Sequence, residues 1–162
     1  MTRAMTLAVM ETPVGPLAVR GDDEAVAEIA FMRDSVPSDA LAAAGDTLPR
    51  PVAEALRQLD EYFRGQRRRF DLPLRLEGTP FQRAVWAFLL TIPYGRTYTY
   101  KEVAEALGKP GAARAVGAAV SSNPVSIVVP CHRVVAAGGK LGGYGGGLDV
   151  KRYLLQLEGI RL

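Results

Sequence analysis

Apolar positions come first in short runs and later at helical spacing along this chain. Across residues 6–31 the apolar residues come in short runs, 7–9, 17–20 and 25–31, with the turn-forming Thr12-Pro13-Val14-Gly15-Pro16 between the first two. That pattern predicts a small antiparallel sheet. Residues 33–50 mix Pro, Ser, Asp and Ala without a sustained period, which reads as a loop with some helix. Val52, Leu56, Leu59 and Phe63 then recur at helical spacing, and Gly65 is placed to end the helix. The arginine-rich stretch 66–70 and the stretch 71–78 link this unit to the next. The predicted boundary lies near residue 78, giving domains 1–78 and 79–162.

Helix signals sharpen beyond it. Thr79-Pro80-Phe81-Gln82 combines an N-cap hydroxyl, a proline at the first helical position and a glutamine three residues after the cap, followed by Phe81, Val85 and Leu89. A helix over 80–91 follows. Thr99-Tyr100-Lys101-Glu102 repeats the capping pattern, Val103, Ala104 and Leu107 give an apolar face, and Gly108 stops it. After a turn at Lys109-Pro110-Gly111 a third helix covers 112–121, so the pair forms a helix-turn-helix pattern. Residues 125–129 read as a buried extended segment running into Pro130 and Cys131. Glycine-rich 138–147 reads as a loop, and Asp149 as the cap of a last helix carrying Val150, Tyr153, Leu154 and Leu157. The fold class is therefore α/β in the α+β sense: an N-terminal antiparallel sheet with a helix, and a mainly helical C-terminal domain with a helix-turn-helix and an active-site loop.

Composition narrows the function classes. With 162 residues, 48% of them hydrophobic, the chain suits one sizeable core or two small ones. No apolar run is long enough to span a bilayer and the first residues lack a secretory pattern, so a cytoplasmic protein is expected. One cysteine and one histidine exclude an internal disulfide and a Cys/His zinc site, so no metal is expected. The net charge of +3 is mild, but its surplus gathers between Arg64 and Arg114, which suits a polyanionic partner.

Pro130-Cys131-His132-Arg133 carries the most pointed chemistry. Thiolate is the reactive form of cysteine, and a nearby base or positive charge raises its population at neutral pH. Neighbouring residues of an extended segment point to opposite sides, so contact between Cys131 and His132 requires a turn or a bridging water. Sequence alone leaves a reactive pair and an inert buried cysteine both open. The glycine loop has neither G-x-G-x-x-G nor the P-loop pattern; it suits either close main-chain approach to a flat ligand or an ordinary surface loop. The helix 112–121 is small-residue-rich with Arg114 as its one charge, which suits a tight core helix or one laid into a DNA groove.

Taken together, Tyr94-Gly95-Arg96-Thr97-Tyr98-Thr99-Tyr100, Ala113-Arg114-Ala115-Val116-Gly117, Asn123-Pro124, Pro130-Cys131-His132-Arg133-Val134-Val135 and Gly143-Tyr144-Gly145-Gly146-Gly147 resemble the O6-alkylguanine-DNA alkyltransferases in order and spacing. The likeness is dense over 79–159. It is weaker upstream, at Thr12-Pro13-Val14-Gly15-Pro16-Leu17 and Phe70-Asp71-Leu72-Pro73-Leu74. The resemblance implies a single-turnover repair protein that takes the alkyl group of O6-alkylguanine in duplex DNA onto Cys131, with no cofactor, no obligate protein partner and a monomeric state. It implies that His132 deprotonates Cys131 through a water with Glu158 orienting the ring, that Asn123 organises the loop, and that Tyr100 donates a hydrogen bond to the departing guanine. Val134, Tyr144, Gly145 and Lys151 would serve the base pocket, with Tyr144 stacking on the base. Arg114 would replace the extruded nucleotide, and Ala113, Ala115, Gly117 and Tyr100 would face the DNA. Whether O4-alkylthymine is also a substrate, and which alkyl size is preferred, the resemblance leaves open.

Two departures stand out. Gly145 occupies a position where some relatives carry serine, and the N-terminal part lacks the cysteines and histidines of zinc-binding relatives. Three other readings fit parts of the pattern. A binding protein of the same fold would lack the acceptor cysteine, a transcription factor would carry several base-reading side chains on 112–121, and a cysteine hydrolase would turn over repeatedly.

Overall fold

The computed structural model describes residues 5–32 and 48–161 and divides into two compact units, residues 1–76 and 77–162. Most of the irregular stretch expected over 33–50 lies outside the described residues. In the first unit β1 (Thr6–Thr12), β2 (Gly15–Gly21) and β3 (Val26–Phe31) form an antiparallel sheet in the order β1-β2-β3. Thr12 closes the first hairpin: its hydroxyl donates to the Gly15 carbonyl at 2.6 Å and accepts from the Val14 N–H at 3.1 Å. Helix α1 (Arg50–Phe63) lies on the sheet and buries Val52, Ala55, Leu56, Leu59 and Tyr62. Tyr62, fully buried, takes the place in the core that periodicity gave to Phe63, which stays half-exposed.

A register shift at Arg20/Gly21 bends β2 where α1 crosses it, and there the glycine is obligatory. A Cβ on Gly21 would come within 2.6 Å of the Ala25 carbonyl oxygen and 3.1 Å of Val52 Cγ2. The chain leaving α1 returns to the sheet along two anchors. The buried Gln58 side chain pairs with both main-chain groups of Asp71 at 2.9–3.0 Å, and Val26 exchanges main-chain hydrogen bonds with Pro73 and Arg75. Arg75 then meets the buried Asp22 carboxylate at 2.9 Å, and these hydrogen bonds hold that carboxyl down at about 2.

The second unit contains α2 (Pro80–Leu89), β4 (Tyr98–Thr99), α3 (Tyr100–Ala106), α4 (Ala113–Ser121), β5 (Val134–Val135) and α5 (Leu148–Leu157). Both predicted capping boxes form, at Thr79 with Gln82 and at Thr99 with Glu102, which fixes where α2 and α3 begin. Trp86 on α2 is buried and donates its indole N–H to the Ala119 carbonyl at 2.9 Å, tying α2 to α4. β4 and β5 pair in parallel, so the residues just after Cys131 are hydrogen-bonded to those just before Tyr100. The last helix starts at Leu148 with Gly147 as its cap residue, and Asp149 sits inside the first turn instead of capping it. Among the described residues no helix is long and apolar enough to cross a membrane.

Candidate functional site

The apolar residues of 125–129 are buried, but the segment is not extended, because the chain folds back twice before Cys131. Ile127 adopts a φ of 72°, in the left-handed region that a β-branched side chain rarely enters, while the Val128 N–H donates to the Ser126 carbonyl at 2.9 Å. Asn123 brackets this γ-turn: its Nδ2 donates to the Val129 carbonyl at 2.8 Å and its Oδ1 accepts from the Val125 N–H at 2.9 Å. Burial of Val125, Ile127 and Val129 in the core holds the strained backbone in place. A second fold-back follows, with the Cys131 N–H donating to the Val129 carbonyl at 2.7 Å.

Cys131–Arg133 is a turn of 3₁₀ helix, and this supplies the bend that adjacency alone could not. Cys131, His132 and Arg133 are all buried. His132 Nε2 lies 2.6 Å from Glu158 Oε2, and Nδ1 is buried with no hydrogen-bond partner among the described residues. Arg133 Nε donates to Glu158 Oε1 at 2.8 Å and Nη2 to Oε2 at 3.2 Å, while Nη1 reaches the Ile92 carbonyl at 2.6 Å. The Gly95 N–H donates to Glu158 Oε1 at 3.3 Å, and Tyr94 covers the guanidinium with its ring 5.8 Å away. Burial would raise the Glu158 carboxyl, but hydrogen bonds and charge from His132 and Arg133 outweigh it and hold the group at about 2. Burial pushes His132 below its ordinary value, so the imidazole is neutral at pH 7.

The thiol is raised by burial, opposed by the Asn123 side chain, the Lys151 charge and the N–H groups of Cys131 and His132. Lys151 is completely buried on α5; its Nζ donates to the Val134 carbonyl at 2.6 Å and the Gly143 carbonyl at 3.0 Å, pinning the glycine loop to β5. Burial lowers Lys151 to about 8. The Tyr144 hydroxyl is buried facing Ser126 and Cys131, and desolvation pushes its pKa well above the ordinary range. Tyr100, at the first position of α3, is half-buried with the Gly143 N–H facing its oxygen and its ring against Gly117 of α4 and Gly142 of the loop. A Cβ on Gly145 would meet nothing within 4 Å among the described residues, so the position has room for a larger side chain.

Cys131, His132, Glu158, Asn123, Lys151, Val134, Tyr144 and Tyr100 thus belong to one cluster. Arg114 stands apart from it, exposed in the first turn of α4, whose exposed residues also include Ala115, Ala118 and Ser121. Arg133 and Gly95 received no role from sequence reasoning although both lie inside quoted motifs; a charged residue directly after a Cys-His pair, in a segment read as buried, was the available signal.

Comparison with known proteins gives the same family across both units. Residues 5–76 match the ribonuclease-like domain, and residues 80–160 the DNA-binding domain, of 6-O-methylguanine DNA methyltransferase. A methylated-DNA–protein-cysteine methyltransferase of Methanosarcina acetivorans is 46% identical over 155 residues, covering 96% of this chain and 99% of its own. That of Mycobacterium tuberculosis is 46% identical over 149 residues, covering 92% and 89%. Among solved structures, the M. tuberculosis O6-methylguanine methyltransferase superposes with a TM-score of 0.84 at 42% identity over 96% of this chain and 93% of that one. An M. tuberculosis OGT in complex with DNA gives 0.83 at 44%, over 94% and 92%. With sequence, fold and the buried Cys-His-Glu cluster in agreement, the chain belongs to the 6-O-methylguanine DNA methyltransferase family, the methylated-DNA–protein-cysteine methyltransferases.

Proposed function

We propose that this protein repairs O6-alkylguanine in duplex DNA by moving the alkyl group irreversibly to Cys131. The observation that carries the reading is the Cys131–Arg133 turn, in which a buried thiol is followed directly by a neutral, buried imidazole whose Nε2 is bound by an ionised glutamate. Nδ1 of His132 accepts the thiol proton through a bridging water, and the imidazolium that forms is stabilised by Glu158. The Asn123 side chain, the Lys151 charge and two main-chain N–H groups stabilise the thiolate. Sulfur attacks the alkyl carbon in line, the carbon–O6 bond breaks, and its electron pair goes to the purine. Tyr100 donates a hydrogen bond to the departing base, whose proton balance closes when the proton lost by sulfur replaces the alkyl group.

The thioether product has no leaving group, so each molecule reacts once. Residues 79–162 supply the DNA-binding and alkyl-acceptor domain, with α3 and α4 as its helix-turn-helix, while residues 1–78 are structural. The target base enters a pocket made by Val134, Tyr144, Gly145 and the Lys151-pinned loop. Arg114 fills the gap in the helix while Ala113, Ala115 and Gly117 allow close approach to the groove. Incubation with excess duplex carrying a labelled O6-methyl group tests this: label should move to protein up to about one equivalent per chain, as the single acceptor implies. Cys131→Ser should bind the duplex and accept none, because phosphate contacts and not the thiol supply most of the affinity. Methyl transfer to Cys131→Ser would refute the assignment, and multiple turnovers would favour a hydrolase.

A further inference from the structure

Glu158 is fixed from sides that have nothing to do with the thiol. Arg133 presents two N–H groups to it and the Gly95 main chain a third, and the guanidinium is itself anchored on the Ile92 carbonyl and the Tyr94 ring. The Gly95 backbone has a φ of 82°, a conformation that a residue with a Cβ rarely adopts, and a Cβ there would lie 3.4 Å from the Glu158 carbonyl oxygen, in ordinary contact. A neutral imidazole has one ring proton, and a 2.6 Å contact between Nε2 and a carboxyl oxygen requires a proton between them. Two arrangements satisfy that contact. In one the proton sits on Nε2, Glu158 is a carboxylate and Nδ1 is a bare lone pair. In the other Glu158 is a carboxylic acid, and the ring proton has moved to Nδ1, which can then accept nothing from the thiol.

We propose that Arg133 and the Gly95 N–H together form a clamp that selects the first arrangement, making Arg133 a positioning residue for proton transfer from Cys131. The inference rests on the alkyl-transfer reading for its consequence, but not for its geometry. Three N–H donors are charge-matched to a carboxylate, whereas a neutral acid would give up part of its acceptor capacity and leave the guanidinium buried beside an uncharged partner. The other charged or titratable groups around the pair are Lys151 on α5, Cys131 on the turn and Tyr144 on the glycine loop. The positive charges of Arg133 and Lys151 both disfavour imidazolium, so they also keep the resting ring neutral.

His132 is the only histidine of the chain, so nitrogen NMR on histidine-labelled protein reads its two ring nitrogens without overlap. At pH 7 and without substrate the protein should show the Nε2–H tautomer. Arg133→Met should shift the resonances toward the Nδ1–H form, slow single-turnover dealkylation of free O6-benzylguanine by roughly 10-fold or more, and move its pH profile upward. Arg133→Lys, which keeps a buried cation, should recover the tautomer and part of the rate. An Nδ1–H tautomer in the unsubstituted protein overturns the proposal whether or not the variants fold. So does an Arg133→Met protein with unchanged tautomer and pH profile and only a lower denaturation midpoint. A protein that holds the Nε2–H form yet accepts no label would sink the alkyl-transfer reading and leave the clamp supported.

Discussion

Gly142→Ala separates the glycine loop's grip on Tyr100 from its general flexibility. A Cβ at this position would lie 2.8 Å from Tyr100 Oη, 3.0 Å from Cε2 and 3.3 Å from the Ala136 nitrogen, and the backbone φ is 75°. The left-handed conformation costs an alanine about 1–2 kcal/mol. Part of that is offset by the smaller entropy of the unfolded chain. Against a typical stability of about 5–15 kcal/mol the variant remains folded. The contact itself is relieved most cheaply by the tyrosine, since the alternative is to move main chain that is hydrogen-bonded from Ala136 to Lys140. Reaching ordinary separation takes a displacement of roughly half an ångström. A misplacement of about 1 Å in a catalytic contact costs on the order of 100-fold, so the expected loss is about 10-fold in the single-turnover rate, or about 1.4 kcal/mol in the barrier. The assay is methyl transfer from an O6-methylguanine duplex, with urea denaturation in parallel. Gly143→Ala is the comparison, since its Cβ meets nothing within 4 Å and its φ is not positive. Equal rates for Gly142→Ala and the unsubstituted protein, or equal slowing by both alanines, would refute the argument that the loop sets the position of the Tyr100 hydroxyl.

Arg114→Ala should slow repair in duplex DNA by an amount equivalent to about 1–3 kcal/mol and leave dealkylation of free O6-benzylguanine near normal, with Arg114→Lys recovering only part; parallel loss on both substrates would make Arg114 structural. Acid should destabilise the second unit. Glu158 at about 2 contributes stability that is full above its unfolded value of 4.5 and lost as pH falls toward 2, and the depressed His132 acts in the same direction below 6.5. Urea midpoints measured from pH 5 to pH 2.5, the window of the Glu158 shift, should therefore fall more steeply for the unsubstituted protein than for Glu158→Gln, and equal slopes there would remove Glu158 from the acid response.

The fold was legible in the chain wherever a local signal names a position. Thr79 with Gln82 and Thr99 with Glu102 mark helix starts by hydrogen bonds within four residues, and those bonds form. Short apolar runs over 6–31, the first two separated by the Thr12–Pro16 turn, mark strands, and the sheet they form is covered by α1. What failed was read from composition without such a bond. Asp149 looked like a cap because of its residue type, yet Gly147 with a φ of 105° lets the chain enter α5 two residues earlier. Phe63 fitted the helical period as well as Tyr62, and the choice between them depends on what packs opposite: Tyr62 meets Phe70, which arrives from a segment whose path no periodicity describes.

The site shows the same division more sharply. The five residues before Pro130, four of them apolar, have the composition of a strand, and burial of Val125, Ile127, Val128 and Val129 follows from that composition, but the conformation does not. A strand would place Cys131 and His132 on opposite faces. The observed backbone instead takes a left-handed Ile127, an unfavourable choice locally, and recovers the cost through the Asn123 side-chain bonds and burial of the flanking valines. Long-range partners decide the rest: Glu158 reaches His132 and Arg133 from a different helix, and Gly95 joins them from a turn far back along the chain. The motif residues are consecutive because a 3₁₀ turn can aim a thiol, a base and a guanidinium in three directions within three residues. In the proposed mechanism the arginine carries no proton but positions the carboxylate behind the ring: adjacency to Cys131 alone does not determine which nitrogen of His132 holds the proton.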